Sequence, residues 1–403
     1  MISSHFAKRV SNMQSSEIRE LLKLLDNPEM ISFAGGLPNP DAFPIEKMKG
    51  VVNHVMEVHA REALQYGTTE GHAKLREVIC GGMKDHYNVA GLDPKNVIIT
   101  NGSQQALNIL SQLFLNPGDR VLTSDPTYLG AILTFRSYQA KIECVPLDDN
   151  GIRLDLLAER LEHLAKINKL PKFIYLIPTF QNPTGVTIPD ENRRMIYQLA
   201  QKYAILLIED DPYGLLRFEG EHVSLLKSMD KEGLVIYLGT FSKILAPGFR
   251  VAWMIAAEEI ISKATLAKQA QDLCTNTFGQ YCVFEAIHHN VLFPYIAEII
   301  KLYKKKRDCM LDAMDRYFPD NVTYTRPLGG MFLWVTLPES YDALTMLKSA
   351  IDKKVAYVVG RPFFPNGGGH NTFRLNFSYV SNNDIEVGIR RLVNVVKSLY
   401  LAA

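Results

Sequence analysis

The sequence predicts an α/β protein: a mostly parallel sheet of seven strands with helices on both faces, followed by a smaller α+β unit. Three observations lead there. Between about residue 95 and residue 256, short runs rich in Val, Ile and Leu alternate with helical patterns, the signature of a parallel sheet with crossover helices. Several of these runs are apolar throughout, as expected where both faces of a sheet are covered. Beyond about residue 290 the alternation gives way to one long helical pattern and isolated strands.

The elements follow in order. A helix is expected over Ser16–Leu25, with Ser15 and Ser16 as caps. The run Phe33-Ala34-Gly35-Gly36-Leu37-Pro38 breaks it from the body. Strands are expected at Val97–Thr100, Arg120–Ser124, Lys141–Pro146, Phe173–Ile177, Ile205–Glu209, Val235–Gly239 and Val251–Ala256. Helical patterns separate them at Gln104–Leu115, Leu154–Lys169 and Glu191–Tyr203. The later part holds a long helix over Phe293–Tyr317, whose basic run Lys304–Arg307 reads as a solvated face. A Gly329-Gly330 break, a strand Met331–Thr336, a helix near Tyr341–Lys354, a strand Thr372–Asn376 and a last helix Asn383–Leu399 complete it. The division expected is an N-terminal segment 1–45 packing near a cleft, a large domain 46–290 and a small domain 291–403.

Composition excludes several classes. Lys and Arg total 44 and Asp and Glu 43, so the net charge of +1 gives no electrostatic footprint for nucleic acid. No apolar run approaches the length of a membrane span. The start MISSHFAKRV has no apolar core, so a signal peptide is not expected and the cytoplasm is the expected location. Five cysteines, irregularly spaced and without a C-x-x-C, suggest buried thiols in a reducing compartment. No H-E-x-x-H occurs, and the pair His288-His289 reads as a helix surface pair, so no metal site is expected.

Four constellations carry chemistry, all just after expected strands. Ligands of such sheets bind outside the strands' carboxyl ends. Asn182-Pro183-Thr184-Gly185 follows the fourth strand, where a tight turn alone would also account for it. Glu209-Asp210-Asp211-Pro212-Tyr213 closes the fifth. Three carboxylates at a buried strand end are costly unless a metal or a cation meets them, and a cation is the better reading because no further metal-binding side chains stand nearby in sequence. Gly239-Thr240-Phe241-Ser242-Lys243 and Pro247-Gly248-Phe249-Arg250 follow the sixth. A lysine there is placed to become a nucleophilic amine, and Thr240, Ser242 and Arg250 suit a phosphate; a structural turn with a solvated lysine is the alternative. Gly102-Ser103-Gln104-Gln105 starts a helix, where orphan amides suit an anion and plain capping by Ser103 is the alternative. Neither G-x-G-x-x-G nor a P-loop is present at these sites. A phosphate, an aldehyde and a ring nitrogen are the three needs these groups meet together, and pyridoxal phosphate has all three.

On these motifs the chain resembles the fold-type-I pyridoxal-phosphate aminotransferases of class I/II. The resemblance runs from Ile31 to the last helix, and the motifs recur in order, with S-K-x-x-x-P-G-x-R ending at Arg250. Within the class, Ser32–Pro40, Gln65-Tyr66-Gly67, Glu209–Tyr213 and Phe373–Phe377 are most similar to the 2-aminoadipate, kynurenine and multi-substrate aminotransferases.

The resemblance implies roles. Lys243 carries the cofactor aldehyde as a Schiff base and then moves the proton between substrate Cα and cofactor C4′. Asp210 keeps the pyridine nitrogen protonated, Tyr213 and Asn182 bind the ring hydroxyl oxygen, and Tyr128 stacks on the ring. Ser103, Gln104, Thr240, Ser242 and Arg250 hold the phosphate; Thr240 stands where Ser is common and keeps the hydroxyl. Tyr66 reaches the phosphate of a neighbouring subunit, implying a homodimer with shared sites. Arg374 binds the substrate α-carboxylate with Asn182 and the Gly36 backbone. Arg19 stands where relatives carry an arginine on a mobile segment, able to meet a distal carboxylate; a surface ion pair is its alternative. Phe363 and Phe364 either line the pocket or pack in the core. The implied substrates are an L-amino acid (2-aminoadipate, aromatic, branched-chain or kynurenine-like) and a 2-oxo acid such as 2-oxoglutarate.

Two rivals remain at this level. A C–S lyase or another Cα-chemistry enzyme would use the same Lys243 and Asp210. A non-catalytic ligand-sensing domain of a transcription regulator is the other, weakened because no basic helix-turn-helix is visible and few residues precede the first expected helix.

Overall fold

The structure is a computed structural model, and it describes residues 5–7, 9–10 and 29–400. The expected helix Ser16–Leu25 and Arg19 lie outside these residues.

The large sheet has eight strands. Their order is Val97–Asn101, Val251–Ile255, Val235–Thr240, Leu206–Asp210, Phe173–Leu176, Arg120–Asp125, Lys141–Asp148 and Gly151–Ile152. The first seven are those read from the sequence, within a residue or two at the ends. The eighth is a two-residue return strand made by the turn at Asp149-Asn150, too short to carry a pattern of its own. Five strands in the middle, from Lys141–Asp148 to Val235–Thr240, pair in parallel. Their residues at Phe173–Leu176 and Val235–Thr240 are buried without exception. That explains the unbroken apolar runs, since a strand covered on both faces has no solvent side to mark.

One strand runs against the others. Val251–Ile255 pairs antiparallel with both Val97–Asn101 and Val235–Thr240. It therefore begins where its neighbours end, with Asn101 opposite Val251 and Thr240 opposite Ala252. This reversal brings Arg250 to the edge at which Gly102, Asp210 and Lys243 leave their strands.

A second, antiparallel sheet has the order Thr323–Tyr324, Phe332–Thr336, Thr372–Asn376 and Val358–Val359. Arg374 sits on its third strand, opposite Trp334 on one side and Val358 on the other. The chain entering from the N-terminal side pairs Ile31–Ser32 in parallel with Val355–Ala356. Past that pair, residues 33–37 are fastened to the end of Thr372–Asn376 and the residues after it: Asn376 N donates to Phe33 O (2.9 Å), Asn376 Nδ2 to Gly35 O (2.7 Å) and Ser378 Oγ to Leu37 O (3.0 Å). Gly388 allows this approach, because a Cβ there would press on the ring of Phe33. The helices Leu292–Tyr317 and Asn382–Tyr400 pack against each other, and one apolar core continues from Val97 and Leu107 to Phe373 and Leu392.

The strand-end carboxylates are sorted by the fold. Glu209 accepts from the backbone N–H of Leu226 and Lys227 at 2.9 and 2.8 Å and lies 3.8 Å from the Arg193 guanidinium. Arg193 is wholly buried and donates to Ile188 O, Ser224 O, Pro178 O and Thr179 Oγ1. Burial pushes the Glu209 carboxyl up to about 7, and Arg193 works against that rise. Removing the guanidinium would leave four acceptors and a carboxylate without it. Breaking a buried pair from one side costs about 3–5 kcal/mol. Arg193→Met is expected to lower stability by that amount in denaturant unfolding of the cofactor-free protein; a change below about 0.5 kcal/mol would show that Arg193 is not a structural hub.

Candidate active site

The sequence-predicted residues converge at the carboxyl edge of the large sheet, facing Arg374 on the second. Asp210 is 2% exposed. Its Oδ2 accepts from Tyr175 Oη at 2.7 Å, while its Oδ1 is buried with no hydrogen-bond partner. Burial pushes this carboxyl up to about 7; the Tyr175 bond lowers it and Asp211 raises it further. The other two carboxylates of the run are committed elsewhere: Glu209 as described, and Asp211 to Tyr237 Oη (3.1 Å) and Gly214 N (2.9 Å). The shared cation expected for the trio is therefore replaced by three separate arrangements, and only Asp210 keeps an oxygen in reserve.

Lys243 leaves the turn after Val235–Thr240 and donates from Nζ to Gly36 O at 2.8 Å. Burial pushes its amine down to about 8, with the positive charges of Arg374 and Arg250 adding to the effect. The neutral, nucleophilic amine is thereby brought within about a unit of neutral pH, well below where an ordinary lysine supplies it.

An anion cradle stands beside it. The helix Ser103–Phe114 starts directly after Gly102, whose φ of +76° and missing Cβ let the Arg250 guanidinium lie against the backbone; a Cβ there would collide with it. Ser103 Oγ is buried without a partner. Thr240 Oγ1 donates to Ser242 Oγ at 2.9 Å and accepts from Ser242 N at 3.1 Å. Orphan amides at a helix start, hydroxyls and a guanidinium are the components of a phosphate site. Gln104 differs from its expected use: its side-chain amide donates to Gly130 O (3.1 Å) and Thr134 Oγ1 (2.6 Å). What Gln104 offers the cradle is its backbone N–H in the first helical turn.

Tyr128 precedes the helix Leu129–Ser137. Gly130 lacks the Cβ that would strike the Tyr128 ring. Burial raises the Tyr128 phenol, and the charges of Asp210, Arg374 and Arg250 all act on it. The Tyr213 phenol is raised by burial, and its hydrogen bond with Asn182 opposes that. Asn182 Oδ1 accepts from Arg374 Nη1 at 2.8 Å, and Arg374 Nη2 donates to Ala34 O at 2.9 Å. The guanidinium lies 4.2 Å from the ring centre of Phe332 and 5.4 Å from that of Phe363, and its Nε is buried and unpartnered. Desolvation lowers Arg374 to about 10, so it is still a cation at neutral pH. Gly36 contributes its carbonyl to Lys243, and a Cβ on it would stand 3.9 Å from Arg374.

Four residues fall elsewhere, are placed differently or lie outside the described residues. Tyr66 is 77% exposed, its ring on the surface of the single chain. Phe363 is buried against Trp334, and Phe364 packs beside them, so both belong to the core cluster of the second sheet, with Phe363 also flanking Arg374. Arg19 lies outside the described residues. Sequence reasoning missed Tyr175 and Phe332. Tyr175 is one tyrosine inside an apolar run, which gave a signal, since a buried phenol needs a partner. Phe332 had none, because its role arises from a contact between distant segments.

One ligand would satisfy all the groups left over: an N–H for Asp210 Oδ1, an aldehyde for the Lys243 amine and a phosphate for Ser103, Thr240, Ser242 and Arg250. The class of protein this defines is a pyridoxal-phosphate enzyme of fold type I. A family model for aminotransferases of class I and II matches residues 37–392. The aromatic-amino-acid aminotransferase 1 of Thermococcus litoralis is 46% identical over 393 residues, covering 98% of this chain and 94% of its own. The structure of the Pyrococcus horikoshii kynurenine aminotransferase in complex with PMP superposes with a TM-score of 0.95 at 45% identity, covering 99% and 98% of the two chains. That of the α-aminoadipate aminotransferase of Thermus thermophilus, complexed with N-(5′-phosphopyridoxyl)-L-leucine, gives 0.92 at 38%, covering both chains completely. The chain belongs to the class I and II aminotransferases. It is a transaminase, moving an amino group between an amino acid and a 2-oxo acid.

The lowered Lys243 amine has a measurable consequence. Its ordinary value is 10.5 and its folded value about 8, so the neutral form dominates above about pH 8 and the ammonium below it. Covalent capture of pyridoxal phosphate by the apoenzyme, followed by absorbance, is expected to accelerate from pH 6 to 9 with a midpoint near 8. A rate still rising steeply beyond pH 10 would show a lysine of ordinary basicity.

Proposed function

We propose that this enzyme transfers the amino group of L-amino acids with large apolar, aromatic or 2-aminoadipate-like side chains to 2-oxoglutarate. One observation carries the reading: Arg374, buried, cationic and with an open Nε, lies in the same site as the Lys243 amine, both of them fastened to the segment 34–36. The names of the relatives support the range of donors, spanning aromatic amino acids, kynurenine and 2-aminoadipate.

In this reading residues 46–290 form the cofactor-binding domain, and 291–403, with the segment before residue 46, form the part that meets the substrate. When bound, pyridoxal phosphate supplies a protonated ring that accepts the negative charge left as the substrate Cα–H bond breaks. Asp210 Oδ1 takes the N–H of the ring nitrogen and favours its protonated form. Asn182 and Tyr213 bind the ring hydroxyl oxygen, and Tyr128 covers the ring face. Ser103, the Gln104 backbone N–H, Thr240, Ser242 and Arg250 hold the phosphate. Arg374 receives the substrate α-carboxylate in its guanidinium fork, with Asn182 and the Gly36 backbone beside it. Lys243 would hold the cofactor through its aldehyde and would serve as the base for the substrate Cα proton. The apolar rings around Arg374 exclude water from the carboxylate pair and strengthen it.

The exposed Tyr66 ring fits a contact with a second copy of the chain, so we propose a homodimer in which Tyr66 completes the partner's phosphate site. Arg19 is proposed to meet a distal carboxylate of 2-aminoadipate or glutamate. Five free cysteines fit a cytoplasmic enzyme. Among the described residues no helix is long and apolar enough to cross a membrane.

The deciding experiment is a panel of 2-aminoadipate, leucine, phenylalanine, tyrosine and kynurenine, each assayed with 2-oxoglutarate. Efficient turnover of at least one is expected, and failure of all five would refute the donor class. Arg374→Lys is expected to raise KM for every donor by about tenfold or more, because a charged hydrogen bond is worth roughly 1.5–3 kcal/mol. Unchanged KM values would remove Arg374 from the substrate site. Asp210→Ala is expected to retain cofactor yet lose about 10²-fold or more in kcat, the scale of a lost preorganised electrostatic group; near-normal turnover would refute its role.

A further inference from the structure

Away from the active site, three imidazoles surround one buried carboxylate. His54 lies near the end of the helix Ile45–Val58 and His59 directly follows it; Glu285 and His289 share one face at the end of the helix Thr277–His288. Glu285 has a side chain only 3% exposed. His59 Nε2 lies 3.1 Å from its Oε1, and His289 Nε2 and His54 Nε2 lie 3.2 and 3.8 Å from its Oε2. The imidazoles of His54 and His289 also meet edge to face, with ring centres 4.7 Å apart. Oε2 is buried and has no hydrogen-bond partner.

We propose that His54, His59, Glu285 and His289 form a binding site for a divalent transition-metal ion of the zinc type, joining the ends of the two helices. Three features carry it. The donor set, imidazole nitrogens with one carboxylate, is the chemistry that zinc and its neighbours select. The ligand atoms of His54, His59 and Glu285 all lie within 4.8 Å of one another. Two ligands at about 2.05 Å in a tetrahedral site stand about 3.3 Å apart, and the three nitrogen–oxygen distances, 3.1, 3.2 and 3.8 Å, bracket that spacing. His54, His59 and Glu285 form the close group, and His289, beside Glu285 Oε2, would join as a further ligand only after a side-chain rotation toward it. All three imidazoles approach through Nε2, and their partial exposure leaves an entry path for the ion.

Both His288 and His289 are exposed, as the sequence reading of a helix surface pair expects. His288 does lie against Phe284, with ring centres 5.8 Å apart. His289 turns to Glu285 instead, and its companions come from a helix more than two hundred residues earlier, which no sequence spacing announces. Cross-linking these two helix ends gives the ion a structural task, separate from transamination.

Purified holoenzyme, freed of metal with a chelator and dialysed against zinc, tests the proposal by elemental analysis and thermal unfolding. One zinc per chain and a raised thermal midpoint are expected. His59→Ala and Glu285→Gln are each expected to weaken zinc binding by at least about tenfold, with transaminase turnover unchanged. Cys309→Ser, which removes a half-exposed thiol as a competing ligand, is expected to leave binding intact. If Glu285→Gln fails to fold, His54→Ala, on a half-exposed side chain, replaces it. No bound zinc in the parent enzyme, or zinc binding that survives loss of His54 and His59, would overturn the proposal.

Discussion

A carboxylate held at the end of a buried strand with one oxygen unmatched is the constraint around which this molecule is arranged. Asp210 is desolvated by the sheet, and Tyr175 satisfies only one of its oxygens. Such a group is expensive to leave alone. Its neighbours along the strand have been given partners, Arg193 and two backbone amides for Glu209, Tyr237 and Gly214 for Asp211. The open oxygen is thus a selective feature of one position, and the protonated nitrogen of the cofactor ring is its natural complement.

The second requirement is that groups from many strands meet. Parallel strands deliver their carboxyl ends to one edge, which places Gly102, Tyr128, Asn182, Asp210 and Lys243 together. Arg250 precedes its strand and would fall at the opposite edge if that strand ran with the others. The antiparallel course of Val251–Ile255 corrects this. The second sheet supplies Arg374, and the extended segment around Gly36 bridges the two.

Much of this was legible in the sequence for identifiable reasons. Buried strands announce themselves by unbroken apolar runs, so seven strands of the large sheet were placed to within a residue or two. The Lys243 turn, the Asp210 run and the glycine before Ser103 lie in short contiguous stretches, where residue type and strand position together carry the chemistry. What was hidden depends on tertiary approach. The two-residue strand Gly151–Ile152 is too short to show a period. The separate partners of Glu209 and Asp211 come from Arg193 and Tyr237, remote in sequence. The commitment of the Gln104 side chain to Thr134 needed the fold to be seen.

The bond from Lys243 to Gly36 O gives the cofactor-free enzyme a releasable latch. Residues 33–37 are held by Asn376, Ser378 and Arg374, whose grips do not depend on the amine, and by Lys243, whose grip does. Whenever that nitrogen turns to another partner, the Gly36 peptide loses its donor while its neighbours stay clamped. Occupancy of the amine is thereby felt, one peptide at a time, by the strip of chain that runs beside Arg374.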